Sequence, residues 1–125
     1  MPARPVSDRR AERSTERTRP AMLVFYQSST VNRSFLRQMR AGMEEEGVPF
    51  RMEQADDSTA AEMAYAAAQA STLDVGVGVD VDGTIYVQHA KLPLNAPALV
   101  GSPQSARMMG HNAARLVNGT PFKLQ

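Results

Sequence analysis

The segment that most restricts the fold of this chain is a strand pattern with almost no side chains on one face. Val75, Val77 and Val79 alternate with Gly76 and Gly78, and an apolar residue at every second position is typical of a β-strand. Glycine carries no side chain, so another backbone or a partner is able to approach this face closely. The fold must therefore contain a sheet with at least one tightly packed face.

An alanine-rich segment lies just before this strand. Residues Thr59 to Glu62 form a capping box, which marks the start of a helix. Alanine, the best helix former, then occupies most positions up to Ala70. So many small side chains indicate that this helix packs closely against a sheet.

The other elements are predicted from apolar runs and from helix end signals. They are a buried strand over 21–27, a helix from an N-cap near Ser34 to Gly47, strands over 49–53, 84–88 and 98–100, and a helix from Ser102 to Gly119. The order β-α-β-α-β-β-β-α contains two β-α-β units and one hairpin. It predicts a largely parallel sheet covered by helices, with an antiparallel strand added by the hairpin.

The opening segment differs in composition from the rest of the chain. At 125 residues the chain is long enough for one domain. Residues 1–20 hold six arginines, three acidic residues and three prolines, which leaves 8 basic and 10 acidic residues in the remainder. We predict a disordered basic tail over 1–20 and an α/β domain over 21–125. A solvated tail is the preferred interpretation, and a targeting or docking peptide is the alternative.

Several classes of protein are disfavoured by composition. The chain has no cysteine, which excludes disulfides and thiolate chemistry. Its apolar runs are far shorter than the roughly 20 residues that span a bilayer. The domain carries more acidic than basic residues, unlike a nucleic-acid-binding domain. We therefore expect a soluble cytoplasmic protein with neither nucleic acid nor membrane as a partner.

Three consecutive carboxylates, Glu44, Glu45 and Glu46, end the first predicted helix. They lie at the negative end of the helix dipole, where cations are preferred. The cluster is thus locally unfavourable and calls for an outside partner, either a metal ion or a basic surface; a solvated helix end is the alternative. Because Mg²⁺ commonly takes one or two carboxylates from any one source, one glutamate here would complete a site built mostly elsewhere.

A basic stripe runs along the last predicted helix. Arg107, His111 and Arg115 are spaced by four residues and so share one helix face. A partner contact and an ordinary solvated face explain this stripe equally well. His89 and His111 are the chain's two histidines; we interpret both as surface residues, with acid-base catalysis as the less favoured alternative.

Two short motifs have simpler explanations than the ligand sites they suggest. Gly76 and Gly78 resemble part of a dinucleotide-binding fingerprint, but a third glycine and a following helix are missing. Asp80, Asp82 and Gly83 resemble part of a calcium loop, yet a hairpin turn explains them better.

Three blocks of sequence resemble a known family. They are GMEEEGVPF at 42–50, KLPLNAP at 91–97 and GHNAARLVNGTPF at 110–122. Their order and spacing are similar to those of the small subunit of the diol or glycerol dehydratase reactivating factor, over roughly residues 21–125. The chain departs from that pattern at His111, where the family has asparagine, and residues 1–20 lie outside it. With this resemblance the expected fold is three-layered, flavodoxin-like or anticodon-binding-domain-like, with a mostly parallel sheet and one antiparallel hairpin strand.

The resemblance implies a non-catalytic subunit that works with an ATPase large subunit, in a complex of two large and two small chains. Such a complex acts as a chaperone for an adenosylcobalamin-dependent dehydratase whose cofactor is damaged. The small subunit would displace the medium subunit from the dehydratase large subunit and so open an exit for cobalamin. The family implies that Glu45 helps to hold Mg²⁺ at the interface with the ATPase subunit, which itself binds ATP or ADP.

Two alternative functions stay open. The chain could be the medium subunit of the dehydratase itself, although its length argues against this, or a small stand-alone enzyme of flavodoxin-like fold.

Overall fold

Five strands and three α-helices form within residues 19–27, 34–56 and 58–124, the part of the chain that the computed structural model describes. They are β1 (Met22–Tyr26), α1 (Ser34–Glu45), β2 (Phe50–Gln54), α2 (Ala60–Ala70), β3 (Val75–Val79), β4 (Ile85–His89), β5 (Leu99–Gly101) and α3 (Ala106–Asn118), with a 3-10 turn at Pro103–Ser105. Each lies close to its predicted place. Residues 1–18 of the predicted tail lie outside the described residues. None of the described helices is long and apolar enough to cross a membrane.

The strands form one mixed sheet in the order β2-β1-β3-β4-β5. β1 pairs in parallel with β2 and β3, whereas the pairs β3–β4 and β4–β5 are antiparallel. The prediction of a mostly parallel, flavodoxin-like sheet is therefore not confirmed. The reason lies in residues 90–98, which form no helix. A parallel pairing of β5 with β4 needs a crossover of a dozen residues or more, and this connection is too short.

The sheet has helices on both faces, so the predicted three layers are present. On one face, α2 lies directly against β3: a Cβ atom on Gly76 would stand 2.1 Å from the amide nitrogen of Ala68, and one on Gly78 would stand 2.2 Å from the carbonyl oxygen of Ala60. The predicted close approach of a backbone to this strand is thus provided by the alanine-rich helix.

The opposite face of the sheet carries the main core. Val75, Val77 and Val79 are completely buried there, in a cluster with Met39 and Met43 of α1 and with residues of α3. Helices α1 and α3 therefore lie side by side on this face. Their arrangement positions the charged residues described below.

Local signals set the start of α2 and the turn of the hairpin as predicted. The Thr59 hydroxyl accepts from the Glu62 amide at 3.1 Å and the Glu62 carboxylate accepts from the Thr59 amide at 3.0 Å, which is the capping box. The Asp80 carboxylate accepts from the amides of Asp82 and Thr84, both at 3.0 Å. These bonds identify residues 80–84 as a hairpin turn and not a calcium loop.

Candidate functional site

Two glycines allow the backbones of α1 and α3 to touch where the helices cross. A Cβ atom on Gly42 would stand 2.2 Å from the carbonyl oxygen of Arg107, and one on Gly110 would overlap the backbone of Met39 in the same way. Each glycine opens one of the conspicuous sequence blocks, at 42–50 and 110–122. The crossing places the acidic end of α1 directly over the basic stripe of α3.

The first contact across this crossing is an exposed ion pair, here called the outer pair. The Arg107 guanidinium donates to both carboxylate oxygens of Glu45, from Nε to Oε1 at 3.2 Å and from Nη2 to Oε2. Such a two-bond pairing is the strong geometry for arginine and a carboxylate. The two side chains remain 53% and 44% exposed, respectively. The outer pair is therefore within reach of another molecule.

The second contact, here called the inner pair, is more buried. Arg115 Nε donates to Glu46 Oε2 at 3.0 Å, and these side chains are 23% and 17% exposed. Arg115 also donates from Nη1 to the carbonyl oxygen of Pro121 at 3.0 Å. The inner pair therefore joins α1, α3 and the segment that follows α3.

His111 lies between the two pairs. Its Nε2 is 2.8 Å from Glu45 Oε1 and its Nδ1 is 2.6 Å from Glu46 Oε2. An ionised carboxylate only accepts hydrogen bonds, so both contacts form at once when the ring carries two protons. The residue is buried, with 8% exposure, so the interpretation of His111 as a surface histidine was wrong.

These contacts change the protonation equilibria of the two glutamates. The hydrogen bonds from Arg107 and, secondarily, His111 lower the pKa of Glu45 below its usual 4.5. The hydrogen bonds from His111 and Arg115 lower the pKa of Glu46 in the same way. Glu45 in turn raises the pKa of Arg107. Both carboxylates are thus held in the charged form at neutral pH, and cations of α3 offset their position at the negative end of α1.

The structure therefore brings together two features that the sequence presented separately. The acidic cluster was expected to need a partner outside the chain, but Glu45 and Glu46 already contact Arg107, His111 and Arg115. Glu44 is exposed and makes no ion pair with any residue that the structure describes. Within the described ranges no group of three or more potential ligands is placed to hold a metal ion.

A segment after α3 forms one side of an open depression beside the outer pair. The buried Asn112 side chain donates to the carbonyl oxygen of Lys123 at 3.1 Å and accepts from the amide of Lys123 at 2.6 Å. This amide clamp holds residues 120–124 against α3. Lys123 and Leu124 then line the depression together with Glu45, Arg107, Met108 and His111. No separate sequence signal singled out Asn112, which lies within the buried face of α3.

The other candidate residues lie away from this site. His89 ends β4, and its Nδ1 accepts from the amide of Lys91 at 3.1 Å. Gly76 and Gly78 contact α2, and β3 leads into the hairpin. Neither feature joins the cluster around Glu45.

Comparison with known sequences identifies relatives that match most of this chain. Residues 19–123 match a family described as dehydratase medium subunit. The diol dehydratase-reactivating factor small subunit of Klebsiella michiganensis is 37% identical over 91 residues, which cover 70% of this chain and 72% of the relative. The probable glycerol dehydratase-reactivating factor small subunit of Citrobacter freundii is 35% identical over 108 residues, covering 82% and 92%.

Two solved structures have the same fold. A glycerol dehydratase reactivase superimposes with a TM-score of 0.79 at 32% identity, covering 85% of this chain and 98% of the matched chain. A diol dehydratase-reactivating factor complexed with ADP and Mg²⁺ superimposes with a TM-score of 0.76 at 32% identity, covering 86% and 100%.

Proposed function

The chain belongs to the dehydratase medium-subunit family, and we propose that it is the non-catalytic small subunit of a diol or glycerol dehydratase-reactivating factor. One observation carries this proposal: the match to a reactivating-factor small subunit extends over 92% of that relative's length. Agreement over nearly a whole subunit favours a shared role more than a shared fold alone would. The dehydratase medium subunit and a stand-alone enzyme are less favoured, because the named relatives are reactivating factors.

The proposed activity is an exchange of subunits. The chain assembles with an ATPase large subunit, two copies of each, and ATP or ADP binds to the large subunit. Released from it, the chain takes the place of the medium subunit on the dehydratase large subunit, and damaged cobalamin leaves through the gap. Nucleotide drives this cycle only if it changes the relative affinity for the two large subunits, since a ligand shifts an equilibrium by its differential affinity alone.

Within that assembly we assign Glu45 as the one ligand that this chain lends to Mg²⁺ at the interface with the ATPase subunit. The residue fits such a role: its carboxylate supplies the hard oxygen donors that Mg²⁺ prefers, and its side chain is 44% exposed. A single carboxylate is also a common contribution from one source to a Mg²⁺ site. The bound ion would supply positive charge that draws the acidic end of α1 toward the partner, while Glu45 sets where on this chain the contact forms.

We place the protein in the cytoplasm, in or beside the compartment that contains its dehydratase. Residues 1–20 are then either a solvated tail or a peptide that directs the complex into a bacterial microcompartment. Neither nucleic acid nor a membrane is proposed as a partner.

The test is reactivation in a purified system. The chain is mixed with the large subunit from the same cell, ATP, Mg²⁺, intact adenosylcobalamin and a dehydratase holoenzyme that has lost activity. We expect recovery of dehydratase activity that requires both subunits, and release of the damaged cobalamin measured by filtration. Complementation of a dehydratase that lacks its medium subunit would instead support the medium-subunit alternative. Turnover by the isolated chain would support a stand-alone enzyme.

A further inference from the structure

We propose that Arg107 restrains Glu45 in the free subunit and has to release it before the carboxylate serves as a metal ligand. Arg107 would thereby set the Mg²⁺ concentration at which the small and large subunits assemble. This inference rests on the metal-binding role proposed for Glu45.

Both carboxylate oxygens of Glu45 already contact side chains of the same protein. Oε1 accepts from Arg107 Nε at 3.2 Å and lies 2.8 Å from His111 Nε2, while Oε2 contacts Arg107 Nη2. A carboxylate held in this way has fewer lone pairs free for a cation. The conformation in the free chain is therefore one in which Glu45 is engaged by its own protein.

Electrostatic repulsion between Arg107 and a metal ion also opposes metal binding at Glu45. A divalent cation on Glu45 would stand within a few ångströms of the Arg107 guanidinium, and like charges at that distance repel. Metal and arginine therefore compete for the carboxylate. Because the outer pair is bidentate, both of its hydrogen bonds are lost when the guanidinium turns away.

Arg107 is also the more exposed of the two paired arginines, and contacts other than the outer pair hold the helices together. Its side chain is 53% exposed, against 23% for Arg115 in the inner pair. The crossing of α1 and α3 is also held by direct backbone contact at Gly42 and Gly110. The outer pair is thus the replaceable part of the network, while the inner pair and the glycine contacts hold the two helices together.

The experiment measures assembly of the full-length chain with its large subunit as a function of Mg²⁺ concentration, by sedimentation velocity. The test variant is Arg107→Met, which removes the charge and keeps a good helix former. Arg37→Met is the matched control, since Arg37 is also an exposed helical arginine but belongs to α1 and lies outside the network. Circular dichroism verifies that each variant is folded.

We expect Arg107→Met to lower the Mg²⁺ concentration at half-assembly by about two- to fivefold, the range that the loss of an exposed ion pair provides. Arg37→Met should leave that midpoint in place, and Arg107→Lys should fall between wild type and Arg107→Met. A folded Arg107→Met protein with an unchanged or higher midpoint would overturn the inference, because Arg107 would then not compete with the metal.

A parallel titration of Glu45→Ala separates this inference from the proposed function. If Glu45→Ala removes the Mg²⁺ dependence and Arg107→Met leaves the midpoint unchanged, only the role of Arg107 is refuted. If Glu45→Ala retains the full dependence, the metal-binding role of Glu45 itself is refuted, whatever Arg107→Met does.

Discussion

Gly110 of α3 lies against Met39 of α1 so closely that a Cβ atom on the glycine would stand 2.0 Å from the methionine carbonyl oxygen. Backbone contact at this point fixes the distance between the two helices. The ion pairs beyond this contact are formed by long, flexible side chains. Which residues pair therefore depends on the distance between the helices. A change at the crossing should therefore affect both the stability of the fold and the contacts of Glu45.

Gly110→Ala tests this dependence. Helix propensity alone would favour alanine by about 1 kcal/mol, but the new methyl group meets backbone that has no way to move aside locally. We expect the overlap to cost about 3 kcal/mol, the upper end of the range for overpacking, which leaves a net loss of about 2 kcal/mol in the free energy of unfolding, measured by urea denaturation. Gly119→Ala is the comparison: it has a φ of 67° and open space around it, so its cost is about 1 to 2 kcal/mol of left-handed strain. Equal stability of Gly110→Ala and wild type would contradict the close crossing.

Glu45→Ala should weaken assembly with the large subunit in Mg²⁺ by about tenfold or more, since removal of residues that only support a metal ligand already costs that much. Analytical ultracentrifugation in Mg²⁺ and in EDTA provides the measurement. Glu44→Ala is a matched control, because Glu44 is the adjacent exposed carboxylate and makes no ion pair within the described residues. Equal weakening by both variants would point to general charge and not to a specific ligand.

We also expect the isolated chain to hydrolyse no ATP.

Glu62→Gln should change how stability responds to acid. The hydrogen bond from the Thr59 amide lowers the pKa of Glu62 below its usual 4.5, so the folded state binds this proton less readily than the unfolded chain does. The stabilisation that ionised Glu62 provides is complete above the pKa of this group in the unfolded chain. It disappears as the pH falls through the lower pKa of the group in the folded state. Glutamine keeps the capping hydrogen bond but does not titrate. Unfolding free energies measured from pH 7 down to acid should therefore fall less steeply for Glu62→Gln than for wild type, and identical slopes would contradict the assignment.

Asn112→Ala should release the segment after α3. The variant loses both hydrogen bonds to Lys123 and leaves that peptide group without its side-chain partner, at a cost of about 1 to 3 kcal/mol. We expect the Lys123 amide to exchange with deuterium much faster, while amides within β3 keep their protection at moderate denaturant. Asn118→Ala, an exposed residue at the end of α3, should leave the Lys123 amide as protected as in wild type.

The elements of the fold were predictable because their signals are local. The capping box at Thr59, the alternation in β3 and the glycine after α3 each act within a few residues, and each prediction was confirmed. Which strand β5 pairs with was not predictable in the same way. It depends on the length and path of residues 90–98, which carry no periodic pattern.

The charged residues of the site were singled out from the sequence, but the contacts between them were not predictable. Periodicity showed that Arg107, His111 and Arg115 share a helix face, and composition singled out the three glutamates. Neither shows which helices become neighbours, and the residues that pair are 62 to 69 positions apart in sequence. The burial of His111 follows from the same crossing. The glycines that open the blocks at 42–50 and 110–122 were the available clue, since small residues mark places where helices approach closely.

The amide clamp on Lys123 has a practical consequence for handling the protein. Because residues 120–124 are fixed along α3, and Leu124 is 90% exposed at the rim of the depression that Glu45 lines, whatever is fused after them emerges beside that carboxylate. An affinity tag there would crowd the face on which the metal contact is proposed, and a polyhistidine tag would add metal ligands of its own. Pull-down and metal-titration experiments on this subunit are therefore best made without a tag directly after this segment.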